Sequence, residues 1–306
     1  MSAVVCEDVV KQYQDVRAVD GVSFEIHEGE IFGMIGPNGA GKTTLMECVE
    51  GLRHHDSGRI DVLGHDPAKA SATLKERIGI QLQASSLPPR IKVRETFDLF
   101  ASFYPRPVDA GVLLDRMGLT EKAGSYVAKL SGGQRQRAFI GLALINDPDL
   151  VFLDELTTGL DPQARLAMWD VIRDIRGEGK TVFLTTHFMD EAERLCDRVA
   201  IMDHGKIVAL DTVDALIRSI GSGTKVAFSP DGPAPIAALE AVAGVTRVDE
   251  YGDQVIIQGD GDRLLQDVLD ALSAAGQTAH NLKTEQPTLE DVFLALTGRK
   301  LREGEN

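Results

Sequence analysis

Short apolar runs broken by polar turns recur along the chain, and their lengths and flanks predict its elements. Residues 3–10, 16–26 and 31–35 read as β segments, an antiparallel lead-in that closes on Ile31-Phe32-Gly33-Met34-Ile35. A glycine-rich loop follows, then the apolar stretch Leu45-Met46-Glu47-Cys48-Val49, so the local order is strand, glycine loop, helix. Residues 78–83 predict a buried strand carrying two glutamines, Gln81 and Gln83, near its end. Leu150-Val151-Phe152-Leu153 is the continuous apolar run of a fully buried parallel strand, and it stops at Asp154-Glu155. Residues 181–187 repeat that design with His187 at the end, and residues 198–202 and 207–210 predict a hairpin.

Residues 91–146 show no strand pattern. Helices are expected over 93–104, 111–117 and 134–146, punctuated by Pro105, Pro107 and Gly118, which makes 84–149 a helical insertion within an α/β domain. After Ile217 the character changes. Gly221-Ser222-Gly223 suits a linker, and strands over 224–228, 245–251, 254–258 and 278–282 alternate with helices over 236–242 and 263–275. The outline is βαββαβ, a small α+β domain. The expected organisation is therefore a first domain over 1–216, a linker over 217–224 and an accessory domain over 225–306.

Composition narrows the function classes. A formal charge of −15 argues against a sequence-independent grip on nucleic acid, so no nucleic-acid partner is expected. No apolar run approaches the roughly 18 residues needed to span a bilayer, and Glu7 and Asp8 make the start acidic where a secretion signal would be basic. The expected location is cytosolic, or at a membrane through a partner. Cys6, Cys48 and Cys196 are far apart in apolar surroundings and read as reduced core thiols.

The chemistry starts at Gly36-Pro37-Asn38-Gly39-Ala40-Gly41-Lys42-Thr43-Thr44. Glycines there permit turns with positive φ, so that backbone N–H groups converge on one concavity, and the following helix adds its positive dipole end. Lys42 can reach the outer phosphates of a nucleoside triphosphate, and the Thr43 hydroxyl can ligate the Mg²⁺ they carry. Asp154 and Glu155 emerge at a strand's carboxyl edge, where one can hold Mg²⁺ through water and the other polarise an attacking water. Leu130-Ser131-Gly132-Gly133-Gln134 offers a second candidate anion site, with Ser131 as helix N-cap. His187 can contact a γ-phosphate. Tyr13, in the connection Lys11-Gln12-Tyr13-Gln14, is either an adenine-stacking ring or an ordinary half-buried tyrosine.

In this order the motifs resemble the nucleotide-binding subunit of an ABC transporter over residues 3–215, a P-loop ATPase cassette. The glycine loop is similar to Walker A, Gln83 to the Q-loop glutamine, and 130–134 to the family signature. Residues 150–155 resemble Walker B, Gly159-Leu160-Asp161 the D-loop, and His187 the switch histidine. One departure stands out, since Leu156 occupies the place of the family's proline. The end of the chain, Gln286 through Arg299, resembles the tail of drug-resistance ATPases of the ABC-2 class.

The resemblance implies ATP and Mg²⁺ as ligands, with Tyr13 stacking on adenine and Thr43, Gln83 and Asp154 around the metal. It implies Glu155, His187 and Lys42 as catalytic groups. It further implies a head-to-tail homodimer in which Ser131, Gly132, Gly133 and Gln134 of one copy complete the site of the other. The partner would be a separate multi-span permease, the location the cytoplasmic face of the cell membrane, and the cargo a small hydrophobic drug or similar compound. The alternative is a soluble, non-transport ABC ATPase acting on ribosome or DNA. An isolated P-loop kinase is opposed by the signature sequence.

Overall fold

The computed structural model describes residues 1–69, 71–81, 87–88, 90–220, 223–252, 254–261, 263–285 and 287–298. The chain divides into two compact units between Thr212 and Val213. The first opens with β1 (Ser2–Tyr13), β2 (Val16–His27), β3 (Ile31–Ile35), α1 (Lys42–Val49) and β4 (Ser57–Val62). It continues through α2 (Ala72–Arg77), β5 (Ile78–Gln81), α3 (Val93–Ala101), α4 (Ala110–Arg116) and α5 (Gly132–Ala143). It ends with β6 (Leu150–Asp154), α6 (Pro162–Gly177), β7 (Thr181–Thr186), α7 (Met189–Leu195), β8 (Arg198–Asp203) and β9 (Lys206–Thr212).

Two sheets form this unit. β2-β1-β4 is antiparallel, and the six-stranded sheet runs β5-β6-β7-β3-β8-β9, parallel except for the β8–β9 hairpin. β3, β6 and β7 are buried at every position, as strands covered on both faces must be. Helix α1 touches β1, β2, β4 and β6, so it lies between the sheets. Phe24 of the antiparallel sheet stacks on Phe32 with ring centroids 5.5 Å apart, and Phe183 packs against Phe32 and Phe152. Those rings fix one sheet against the other. In the register, Ile35 faces Thr186 and Asp154 faces Thr185, so the carboxyl ends of β3, β6 and β7 finish level. Open α/β sheets bind ligands at that edge.

Several expected boundaries move. Helix α3 stops at Ala101, short of the expected 104, and α5 runs over Gly132–Ala143 where 134–146 was expected. β7 stops at Thr186, leaving His187 just past the strand. Tyr13 is the last residue of β1, paired with Val16, where a connection was expected.

The second unit contains α8 (Val213–Ser219), β10 (Thr224–Pro230), α9 (Ile236–Glu240), β11 (Val245–Tyr251), β12 (Gln254–Gly259), α10 (Leu264–Ala274), β13 (Ala279–Glu285) and α11 (Leu289–Thr297). The expected linker at 217–224 is corrected, because 217–219 belong to α8 and Thr224 begins β10. The sheet order β11-β12-β10-β13 is that of a split βαβ, ferredoxin-like unit. Val226, Phe228, Val255, Ile257, Val268 and Leu272 form its core. Thr288 and Asp291 make a reciprocal capping box at the start of α11. On α11, Leu289, Val292 and Phe293 are buried, whereas Leu296 is exposed.

Candidate functional site

The glycine loop leaves β3 at Gly36 and enters α1 at Gly41. Both approaches need glycine. A Cβ at Gly36 would stand 2.1 Å from the Met202 carbonyl oxygen, and one at Gly41 would stand 2.0 Å from that of Ala18. Gly41 also has φ 103° at the helix N-cap. Within the loop Ala40 N–H donates to the Pro37 carbonyl (3.1 Å), while Asn38 and Gly39 are exposed at its tip. Lys42 is buried, and its ammonium donates to the carbonyls of Gly36 (2.9 Å) and Pro37 (3.1 Å). Burial lowers its pKa, against the opposing pull of Glu155 and Asp154. Thr43 and Thr44, in the first turn of α1, are half-buried.

The level strand ends bring four polar groups to this loop. Thr43 Oγ1 donates to Asp154 Oδ1 at 3.4 Å, and the Thr185 hydroxyl donates to the same oxygen from the neighbouring strand. Burial pushes the Asp154 carboxyl up, and the two hydroxyls pull it back. Glu155 takes a left-handed backbone, φ 47°, held by its N–H donating to the Thr185 carbonyl at 3.1 Å. Its Oε1 lies 3.9 Å from Lys42 Nζ and 3.6 Å from His187 Nδ1. The latter distance is too long for a hydrogen bond, and buried His187 Nδ1 has no hydrogen-bond partner among the described residues. Leu156 is buried where the resemblance expects proline.

The other predicted residues lie apart from this cluster. Ser131 caps α5 in a reciprocal box, accepting from Gln134 N–H at 3.3 Å while Ser131 N–H donates to Gln134 Oε1 at 3.1 Å. With Gly132, Gly133 and Asp161 these residues line a cavity of about 370 Å³, which no glycine-loop residue reaches. Tyr13 is more than one-third exposed, with Lys11 Nζ 5.6 Å and Arg53 Cζ 5.3 Å from its ring centre. Gln83 falls outside the described residues.

The family model described as ABC transporter matches residues 19–158. Nod factor export ATP-binding protein I of Burkholderia orbicola is 38% identical over 306 residues, with 97% of each chain covered. The chain belongs to the ABC transporter family. Daunorubicin resistance ATP-binding protein DrrA3 of Streptomyces coeruleorubidus is 35% identical, covering 99% of this chain and 98% of that one. Among solved structures, an ATP-binding subunit of an ABC transporter superposes with TM-score 0.65 at 28% identity, covering 72% of this chain and 93% of its own. A cassette solved as a dimer in a post-hydrolysis state bound to ADP and Pi matches with TM-score 0.62 at 25% identity, covering 68% and 98%.

Two polar groups of this ABC ATPase that sequence reasoning missed are packed close to the site residues. Thr185 reads as an ordinary β-branched strand residue, and its hydrogen bond to Asp154 appears only through the β6–β7 register. Glu191, four residues beyond His187, reads as an acidic residue in the first turn of a helix, yet it is buried.

Proposed function

We propose that this ABC ATPase energises export of a small hydrophobic compound through a separate multi-span permease, as a head-to-tail homodimer at the cytoplasmic face of the membrane. One observation carries the reading: Lys42, Thr43, Asp154, Glu155 and His187 meet at level strand ends, while Ser131 to Gln134 line a separate cavity. A triphosphate on the glycine loop of one copy is then completed by the signature residues of a second. The names of the relatives, one a Nod factor exporter and one a daunorubicin resistance protein, support export of a small molecule.

Thr43 Oγ1 and Asp154 Oδ1 are hard oxygen donors close to one another, a pairing that suits Mg²⁺. When bound, the ion neutralises phosphate charge. The chain's own groups do the rest. Lys42 exchanges its two carbonyl partners for the outer phosphates. Glu155 orients the attacking water and accepts its proton, and His187, beside Glu155, contacts the γ-phosphate. Tyr13 offers an exposed ring to adenine. Gln83, the third metal-side residue implied by the resemblance, lies outside the described residues.

Steady-state turnover and ATP-dependent dimerisation of Glu155→Gln test the chemistry. Turnover should fall about 10²-fold or more, with dimerisation retained. Turnover at the wild-type rate would remove Glu155 from the role of base. For the export partner, the tagged protein is recovered from its native cells in mild detergent and its companions are identified by mass spectrometry. A multi-span membrane protein is expected, whereas ribosomal or DNA-repair proteins alone would favour the soluble alternative.

A further inference from the structure

Glu191 of α7 is a carboxylate held in the interior, only 2% exposed. It accepts a hydrogen bond from the Trp169 indole N–H of α6 at 3.1 Å. Burial pushes its carboxyl up, and the neighbouring hydroxyls of Thr186 and Thr157 pull it back. Thr157 is fully buried and its hydroxyl has no hydrogen-bond partner among the described residues, which leaves a buried donor beside that carboxylate. The Thr186 hydroxyl in turn accepts from Phe188 N–H at 3.0 Å, across the residue between them, His187.

These partners come from three segments. Thr157 lies two residues after Glu155, Thr186 ends the strand that presents His187, and Trp169 sits in the helix that begins after Asp161. A carboxylate is a costly choice for filling this space, since an apolar side chain of similar volume would pack without the desolvation penalty. What it adds is a polar junction among those segments.

We propose that Glu191 is a positioning residue that ties the loop after Glu155 to the strand end carrying His187, so that the water-orienting group and the γ-phosphate contact keep one geometry. This rests on the roles given above to Glu155 and His187. Trp169 is the single tryptophan of the chain, so its emission reports on the junction directly.

The test uses the full-length protein with Mg²⁺ and ATP, comparing wild type with Glu191→Gln, Glu191→Leu and Thr157→Val. Glu191→Leu should lower kcat about tenfold or more while KM for ATP changes less than about threefold, because misplacing reacting groups costs rate more than binding. Glu191→Gln, which keeps an acceptor for Trp169, should recover most of the rate. Thr157→Val should lower kcat in the same direction and remains informative if Glu191→Leu does not fold. The emission change of Trp169 on adding ATP, read in a Glu155→Gln background to exclude turnover, should be present with Glu191 and lost with Glu191→Leu. Wild-type kcat in both Glu191→Leu and Thr157→Val, or an unchanged emission response in Glu191→Leu, overturns the proposal. A wild-type chain that does not hydrolyse ATP would instead overturn the catalytic reading, which separates the two failures.

Discussion

Thr185 donates its hydroxyl to Asp154 Oδ1 across the β6–β7 pair, where the two residues are register partners. The same oxygen accepts from Thr43 Oγ1 at 3.4 Å, so one carboxylate oxygen is held between the helix that follows the glycine loop and the strand that leads to His187. Burial favours the neutral acid at Asp154, and the hydroxyls favour the anion that a cation requires. Thr185→Val keeps the volume and removes one donor, while the Thr185 carbonyl still accepts from Glu155 N–H. We expect stability to fall by about 1 kcal/mol and KM for Mg-ATP to rise about tenfold. Titrating turnover against Mg²⁺ at fixed ATP checks this, and an unchanged Mg²⁺ dependence would reduce Thr185 to a packing residue.

The parts of this site differ in how far the sequence exposes them. The glycine loop and β3, β6 and β7 are legible because each depends on a few consecutive residues, as in Leu150-Val151-Phe152-Leu153. Thr185 and Glu191 are not, because their partners lie 31 and 22 residues away and only strand register or helix packing brings them together. The end of β1 was obscured for a local reason. Its two-residue turn is Gln14-Asp15, with Gln14 at φ 48°, and lacks the glycine that marks such turns, so Tyr13 read as loop. Likewise the Gly-Ser-Gly stretch at 221–223 pulled the expected linker over the end of α8, whose seven residues offer too short a pattern to resist it.

Ser131 caps α5 and, in the proposed dimer, faces the other copy's nucleotide, and two readouts of Ser131→Ala separate these. As N-cap it satisfies the Gln134 N–H, and replacement by alanine should cost about 1 kcal/mol of stability. If the proposed dimer forms, the substitution should weaken ATP-dependent dimerisation without changing ATP binding to the monomer, since Ser131 lines a cavity apart from the glycine loop. Light scattering with and without ATP, beside nucleotide binding at low protein concentration, checks both. Monomer ATP affinity that falls in Ser131→Ala would show that the two cavities are not independent.

Glu50 gives the protein a pH dependence whose sign follows from its surroundings. It is the C-cap of α1 and nearly fully buried, at the negative end of that helix's dipole. Burial first, then the nearby charges of Asp154 and Glu47, push its carboxyl from 4.5 up to about 8. The unfolded chain releases that proton near the ordinary carboxylate value, while the folded protein keeps it to the upper one. Between those values the folded state therefore holds the extra proton, and this group's contribution to stability falls as pH rises through the window, levelling off above it. Glu50→Gln removes the titration and keeps the shape. Between pH 6 and pH 9, wild type should lose about 2–3 kcal/mol more than the variant in urea unfolding followed by Trp169 emission. Parallel losses would mean that Glu50 is already ionised in the folded protein at neutral pH, with a buried cation or water offsetting its charge.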